Sequence, residues 1–123
     1  MEFNFKQFTR IPGRSCLYSI SIRQNYTFGF NSRFFTKEHI IDTPYVMLYY
    51  DENKKLIGFY FSKNKISNSY KINIYTQHGY LKTPKFFEYN KINIKDIIGA
   101  YEPKKYNDPK IGEIFYIQLK EDT

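Results

Sequence analysis

The stretch Pro44-Tyr-Val-Met-Leu-Tyr-Tyr-Asp-Glu-Asn-Lys-Lys-Leu-Ile-Gly-Phe-Tyr-Phe-Ser62 constrains this chain more than any other. Tyr45 to Tyr50 is an unbroken apolar and aromatic run, too short for a buried helix and rich in strand formers. Asp51 to Lys55 is polar and suits a loop. Leu56 to Phe61 forms a second run, with Ile57, Phe59 and Phe61 on one face and Leu56, Gly58 and Tyr60 on the other. Together they predict a β-hairpin with bulky groups on both faces, placed at the centre of a sheet.

The flanking segments follow the same period. Tyr18, Ile20 and Ile22 alternate with Ser19, Ser21 and Arg23, a half-buried strand. Gln24-Asn25-Tyr26 is a tight connection to a partner strand, Thr27 to Asn31. Tyr70, Ile72 and Ile74 alternate in the same way, and Gln77-His78-Gly79 turns the chain into Tyr80 to Lys82. Gly99 to Tyr106 and Ile111 to Lys120 read as a closing hairpin across Asn107-Asp-Pro109. Two helices are predicted. One lies in Ser32 to Ile41, with Thr36 or Ser32 as N-cap; the other starts at Thr83-Pro84, with proline in the first turn, and ends near Asn90. Ile92 to Ile98 fits a helical turn and an extended segment equally. Residues 1–14 alternate Phe3 and Phe5 with polar groups, as a short strand or an N-terminal arm docking on the sheet.

The expected fold is α+β and β-dominated. It is a curved, mostly antiparallel sheet or partly open barrel of seven to eight short strands with two short helices, in one domain spanning 1–123. The 13 Tyr and 12 Phe, with no Trp, fit that class. No apolar run reaches the roughly 20 residues needed to span a bilayer. The first residues lack the layout of a signal peptide, and the single Cys16 has no disulfide partner in the chain. A cytoplasmic setting without membrane contact is the expectation.

Chemistry is harder to find. His39, His78 and Cys16 show no paired ligand spacing, so no metal site or cofactor is expected. Asp51-Glu52 suits turn chemistry better than a general acid and base. No Walker-type or glycine-rich nucleotide fingerprint occurs. A small enzyme would need these scattered groups to meet in a cleft, so a non-enzymatic role is expected.

The remaining signal is charge. The formal net charge is +7, and residues 83–123 are balanced, so the excess lies in 1–82, with every arginine before residue 34. A basic balance attracts polyanions. Arg10, Arg14, Arg23 and Arg33 form the candidate core of a nucleic-acid or partner-binding surface, extended by Lys54, Lys55, Lys63, Lys65 and Lys71. Cations hold phosphates and exposed rings stack on unpaired bases. The aromatic excess also points to an interface, with Tyr45, Tyr49, Tyr50, Tyr60, Tyr75 and Tyr116 as its members. An unpaired strand edge would then support a homodimer.

Ser19-Ile-Ser-Ile-Arg23, Phe28-Gly-Phe-Asn31, Tyr45-Val-Met-Leu-Tyr-Tyr-Asp51 and Ile57-Gly58 occur in that order. In this, residues 17–62 resemble a widespread group of small uncharacterised prokaryotic proteins. There a Ser-Ile-Arg and Gly-Phe-Asn pair precedes a Tyr-Val-x-Leu-Tyr-Tyr-Asp strand and an Ile-Gly strand. The resemblance implies the hairpin core and transfers no catalytic motif. By size and charge, the chain is also similar to accessory proteins that inhibit or activate CRISPR effector nucleases. The expectation is a small basic binding protein acting on nucleic acid or a nucleoprotein complex. The alternative is a protein-interaction accessory regulating a larger partner.

Overall fold

The computed structural model describes residues 18–120. Arg10, Arg14, Cys16 and the expected N-terminal arm lie outside them. Strands β1 (Ile20–Arg23) and β2 (Thr27–Phe30) form the first hairpin, closed by a three-residue loop in which Tyr26 takes a left-handed backbone, φ 63°. Helix α1 (Ser32–Lys37) follows directly. Its N-cap is Asn31, whose side chain accepts from the Phe34 amide at 3.0 Å and the Ser19 amide at 3.2 Å. The helix therefore starts earlier than a Thr36 cap would allow. It also ends earlier, because His39 adopts φ 55° and a separate 3-10 turn covers Ile40–Asp42.

The central hairpin is present as expected: β3 (Tyr45–Asp51) pairs with β4 (Leu56–Ser62) along its whole length. Its loop is closed by Asp51 Oδ1, which accepts from the Lys54 amide at 3.1 Å, and by Lys55 at φ 57°. The run Tyr70 to Tyr75 is not one strand. β5 (Tyr70–Lys71) pairs with β3, whereas β6 (Asn73–Tyr75) pairs with β7 (His78–Lys82) in a different sheet. The chain crosses at Ile72, whose amide donates to the Pro44 carbonyl at 2.8 Å. Helix α2 (Pro84–Tyr89) begins on proline as expected, and a 3-10 turn covers Ile94–Asp96.

The expected strand 99–106 is likewise two strands, β8 (Gly99–Tyr101) and β9 (Lys104–Asp108), in different sheets. Glu102-Pro103 makes the crossing, where proline has no amide to lose from a ladder. β9 turns into β10 (Gly112–Gln118) across Pro109 to Ile111, two residues later than expected. Asp108 Oδ1 fixes that turn by accepting from the Lys110 and Ile111 amides at 2.8 and 3.0 Å.

The described residues thus hold ten strands rather than seven or eight, in two five-stranded sheets whose strands all pair antiparallel. The first sheet has the order β6-β7-β2-β1-β8 and the second β5-β3-β4-β10-β9. The architecture is β-dominated α+β, with no closed barrel. Inner faces meet through phenylalanine: Phe28 packs edge-on against Phe59 at 5.1 Å, and Phe30 against Phe61 at 5.7 Å. Each such pair adds about 0.5–1.5 kcal/mol to its area burial. Phe34 of α1 touches Phe30, Phe61 and Phe115, and Phe87 of α2 stacks on Phe28 at 5.2 Å. Among the described residues the two helices therefore close the space between the sheets, and neither covers an outer sheet face.

Candidate nucleic-acid interface

Strand alternation sets what the outer face of the first sheet presents. Ile20, Ile22, Phe28, Phe30 and Leu81 are buried inward, so Ser21, Arg23, Gly29, Tyr80 and Lys82 point outward. The register aligns them in rows. Arg23, Thr27 and Lys82 form one, and Ser21, Gly29, Tyr80 and Asn73 the next. Tyr75 and His78 form a third at the end of the β6–β7 hairpin.

Gly29 has a particular role in this face. A Cβ on it would stand 2.6 Å from Arg23 Nη2 and 3.0 Å from Arg23 Cζ. The missing side chain gives the Arg23 guanidinium room to lie across the strand, with Ser21 Oγ beside it. Next to this cation stands a stack of rings. Tyr75 lies 5.8 Å from Tyr80 with planes 20° apart, and 6.0 Å from His78 with planes 22° apart. Tyr75 is 58% exposed. No Asp or Glu occurs in any of the five strands of this sheet. The face offers cations, stacked rings and small polar groups, on strands that carry no carboxylate to repel an anion.

The sequence pointed to Arg23 and Tyr75, and both lie here. It placed His78 in a solvated turn and passed over Tyr80, Lys82 and Gly29. The alternation of Asn73 and Tyr75, then His78, Tyr80 and Lys82, around the two-residue turn Thr76-Gln77 carried the missing signal. Among the described residues, the other basic residues singled out from the sequence do not join this face. Arg33 sits on α1, beyond the opposite end of the β1–β2 hairpin from Arg23. Lys63 and Lys65 lie in the loop after β4, at the opposite end of the central hairpin from Lys54 and Lys55. Lys71 stands opposite Tyr45 on β5.

The other aromatics also separate. Tyr45, Tyr49, Tyr60 and Tyr116 share the outer face of the second sheet, where Tyr49, Tyr106 and Tyr116 line a groove of about 440 Å³ above Gly58. Tyr50 belongs to the opposite side and packs on the core.

One polar cluster ties α1 to β9 and β10. The Tyr18 hydroxyl donates to Glu38 Oε2 at 2.7 Å, and Lys105 Nζ lies 3.5 Å from Glu38 Oε1 and 3.9 Å from Glu113 Oε2. Burial, then the bond and the charge of Glu38, push the Tyr18 phenol well above its usual range. These contacts are mutual and read as a structural clasp, although Glu38 and Glu113 also border a small pocket of about 150 Å³. Among the described residues, no three His, Cys, Asp or Glu side chains group in a way that could hold a metal ion. No helix among them is long and apolar enough to cross a membrane.

Comparison with protein-family models, curated proteins and solved structures gives no match.

Proposed function

We propose that this protein is a small basic binding protein for single-stranded nucleic acid, and that the outer face of the first sheet holds the strand. The supporting observation is the Arg23 guanidinium laid over Gly29 beside the Tyr80–Tyr75–His78 stack, on a sheet whose strands contain no carboxylate. Arg23 and Lys82 lie in one row and suit a phosphate backbone running across the strands. The exposed ring of Tyr75 suits an unpaired base, and a base–aromatic stack contributes about 1–3 kcal/mol. A duplex hides its base faces, so single strands are preferred. The role requires no bond-making chemistry.

Fluorescence anisotropy with labelled single-stranded and duplex oligonucleotides tests this. Single strands bind at low salt, and log K falls with log salt by about 0.7 per phosphate contact. Tyr75→Ala with Tyr80→Ala weakens binding by roughly one to three kcal/mol per lost stack. Absence of any binding at low salt would refute the reading and leave regulation of a protein partner as the alternative.

A further inference from the structure

A second cationic feature lies away from the open face. A pocket of about 200 Å³ at the tip of the central hairpin is lined by Lys55, Lys91 and Lys120, together with Asn93 and Asp96. The three lysines come from three separate segments: the β3–β4 loop, the connection after α2 and the chain just beyond β10. The backbones of Lys55, of Lys91 and of Leu119 beside Lys120 are pinned. The Leu119 amide donates to the Lys55 carbonyl at 2.9 Å, and the Gln118 side-chain amide to the carbonyls of Lys54 and Lys55 at 2.8 and 3.2 Å. The Lys91 amide donates to Glu88 O at 3.1 Å.

Two further details set the pocket apart from scattered surface lysines. Lys55 and Lys91 both hold left-handed backbones, φ 57° and 56°, where glycine or asparagine is the less strained residue. Tyr26, His39, Asn68 and Thr76 share that backbone region, so the two lysines are positions where glycine can replace the side chain without backbone strain. Lys120 Nζ donates to the Ile98 carbonyl at 2.7 Å and stands 2.9 Å from where a Cβ on Gly99 would be. Gly99 itself takes φ 151°. The ammonium therefore occupies a slot that the lack of a side chain at residue 99 keeps open. Asp96 is the one carboxylate lining the pocket, against three lysines.

We infer that this pocket is a binding site for a phosphate group, held by Lys55, Lys91 and Lys120. It does not depend on the sheet-face reading. A phosphate monoester and a phosphodiester of a nucleic-acid backbone offer it the same oxygens, and the oligonucleotide arm of the test distinguishes them.

The test is a titration with inorganic phosphate at low ionic strength, followed through the amide resonances of Lys91, Ile98, Gly99 and Lys120, with chloride at matched ionic strength as control. Phosphate is expected to give saturable shifts in the millimolar range and chloride none. Lys55→Gly with Lys91→Gly removes two charges at positions where glycine fits the backbone better. That variant is expected to keep or raise its thermal midpoint and lose phosphate affinity by about tenfold or more. Non-saturating shifts in the wild type, or unchanged phosphate affinity in the folded double variant, would overturn the inference. An oligonucleotide that moves the same amides identifies the source as a strand; one that does not, while phosphate does, identifies a small phosphorylated ligand. Phosphate binding without oligonucleotide binding refutes only the sheet-face reading. Oligonucleotide binding with a flat phosphate titration refutes only this one.

Discussion

Gly29 and Arg23 show how one missing side chain shapes a surface. A methyl group at Gly29 would meet Arg23 Nη2 at 2.6 Å and Ser21 Oγ at 2.5 Å, both far ends of side chains that can swing aside. Gly29→Ala should therefore cost little stability, within about 1 kcal/mol by denaturant unfolding. It should still weaken oligonucleotide binding, because the guanidinium is displaced. Tyr18 and Tyr101 make a different prediction. The half-buried Tyr18 hydroxyl donates to Glu38, and the Tyr101 hydroxyl donates to the Ile97 carbonyl at 2.6 Å. Burial first of all raises the pKa of both phenols above the usual 10.0. Below that value folded and unfolded chains both keep these protons. Above it the unfolded chain releases them first, so their stabilising contribution falls as pH rises past about 10. Urea unfolding at neutral and alkaline pH checks this. Tyr18→Phe should flatten part of the alkaline loss, and an identical alkaline slope in wild type and variant would contradict it.

At the scale of elements, α1 shows what short helices contribute here. Six residues cannot stabilise a helix alone. The Asn31 cap and the burial of Phe34 among Tyr18, Phe30, Phe61 and Phe115 hold it. Phe34→Ala should cost about 3–5 kcal/mol and Asn31→Ala about 1 kcal/mol, both measurable by chemical denaturation. The hairpins of this fold were legible in the sequence because strand period and turn chemistry are local: Tyr45 to Phe61 and Ile20 to Phe30 fell where alternation put them. The sheet crossings at Ile72 and at Glu102-Pro103 were not. Tyr70, Ile72 and Ile74 keep a single period through the crossing, since each sheet demands the same inward alternation. The candidate site divides in the same way. Arg23 was legible as the outward residue of its own strand. Tyr80 and Lys82 were not, because they become its neighbours only through the β2–β7 pairing, a contact between distant segments.

At the scale of the molecule, two sheets share a phenylalanine core and turn unlike faces outward. One has no carboxylate in its strands and carries Arg23, Lys82 and a ring stack; the other carries tyrosines around a groove. A net charge of +7 favours the approach of polyanions, and the proposed function makes the first sheet the place where they settle. Raising salt should thus remove a nonspecific component first and leave the stacking component, so variants at Tyr75 and Arg23 should differ in salt slope. Arg23→Ala should reduce the slope by about 0.7, the value for one phosphate contact, whereas Tyr75→Ala should lower affinity with the slope retained. The central claim is about place, and amide shift mapping with a short single-stranded oligonucleotide measures place directly. The account predicts that Ser21, Arg23, Gly29, Tyr75, His78, Tyr80 and Lys82 shift together. Shifts confined to the tyrosine groove of the second sheet, or no shifts at low salt, would contradict it.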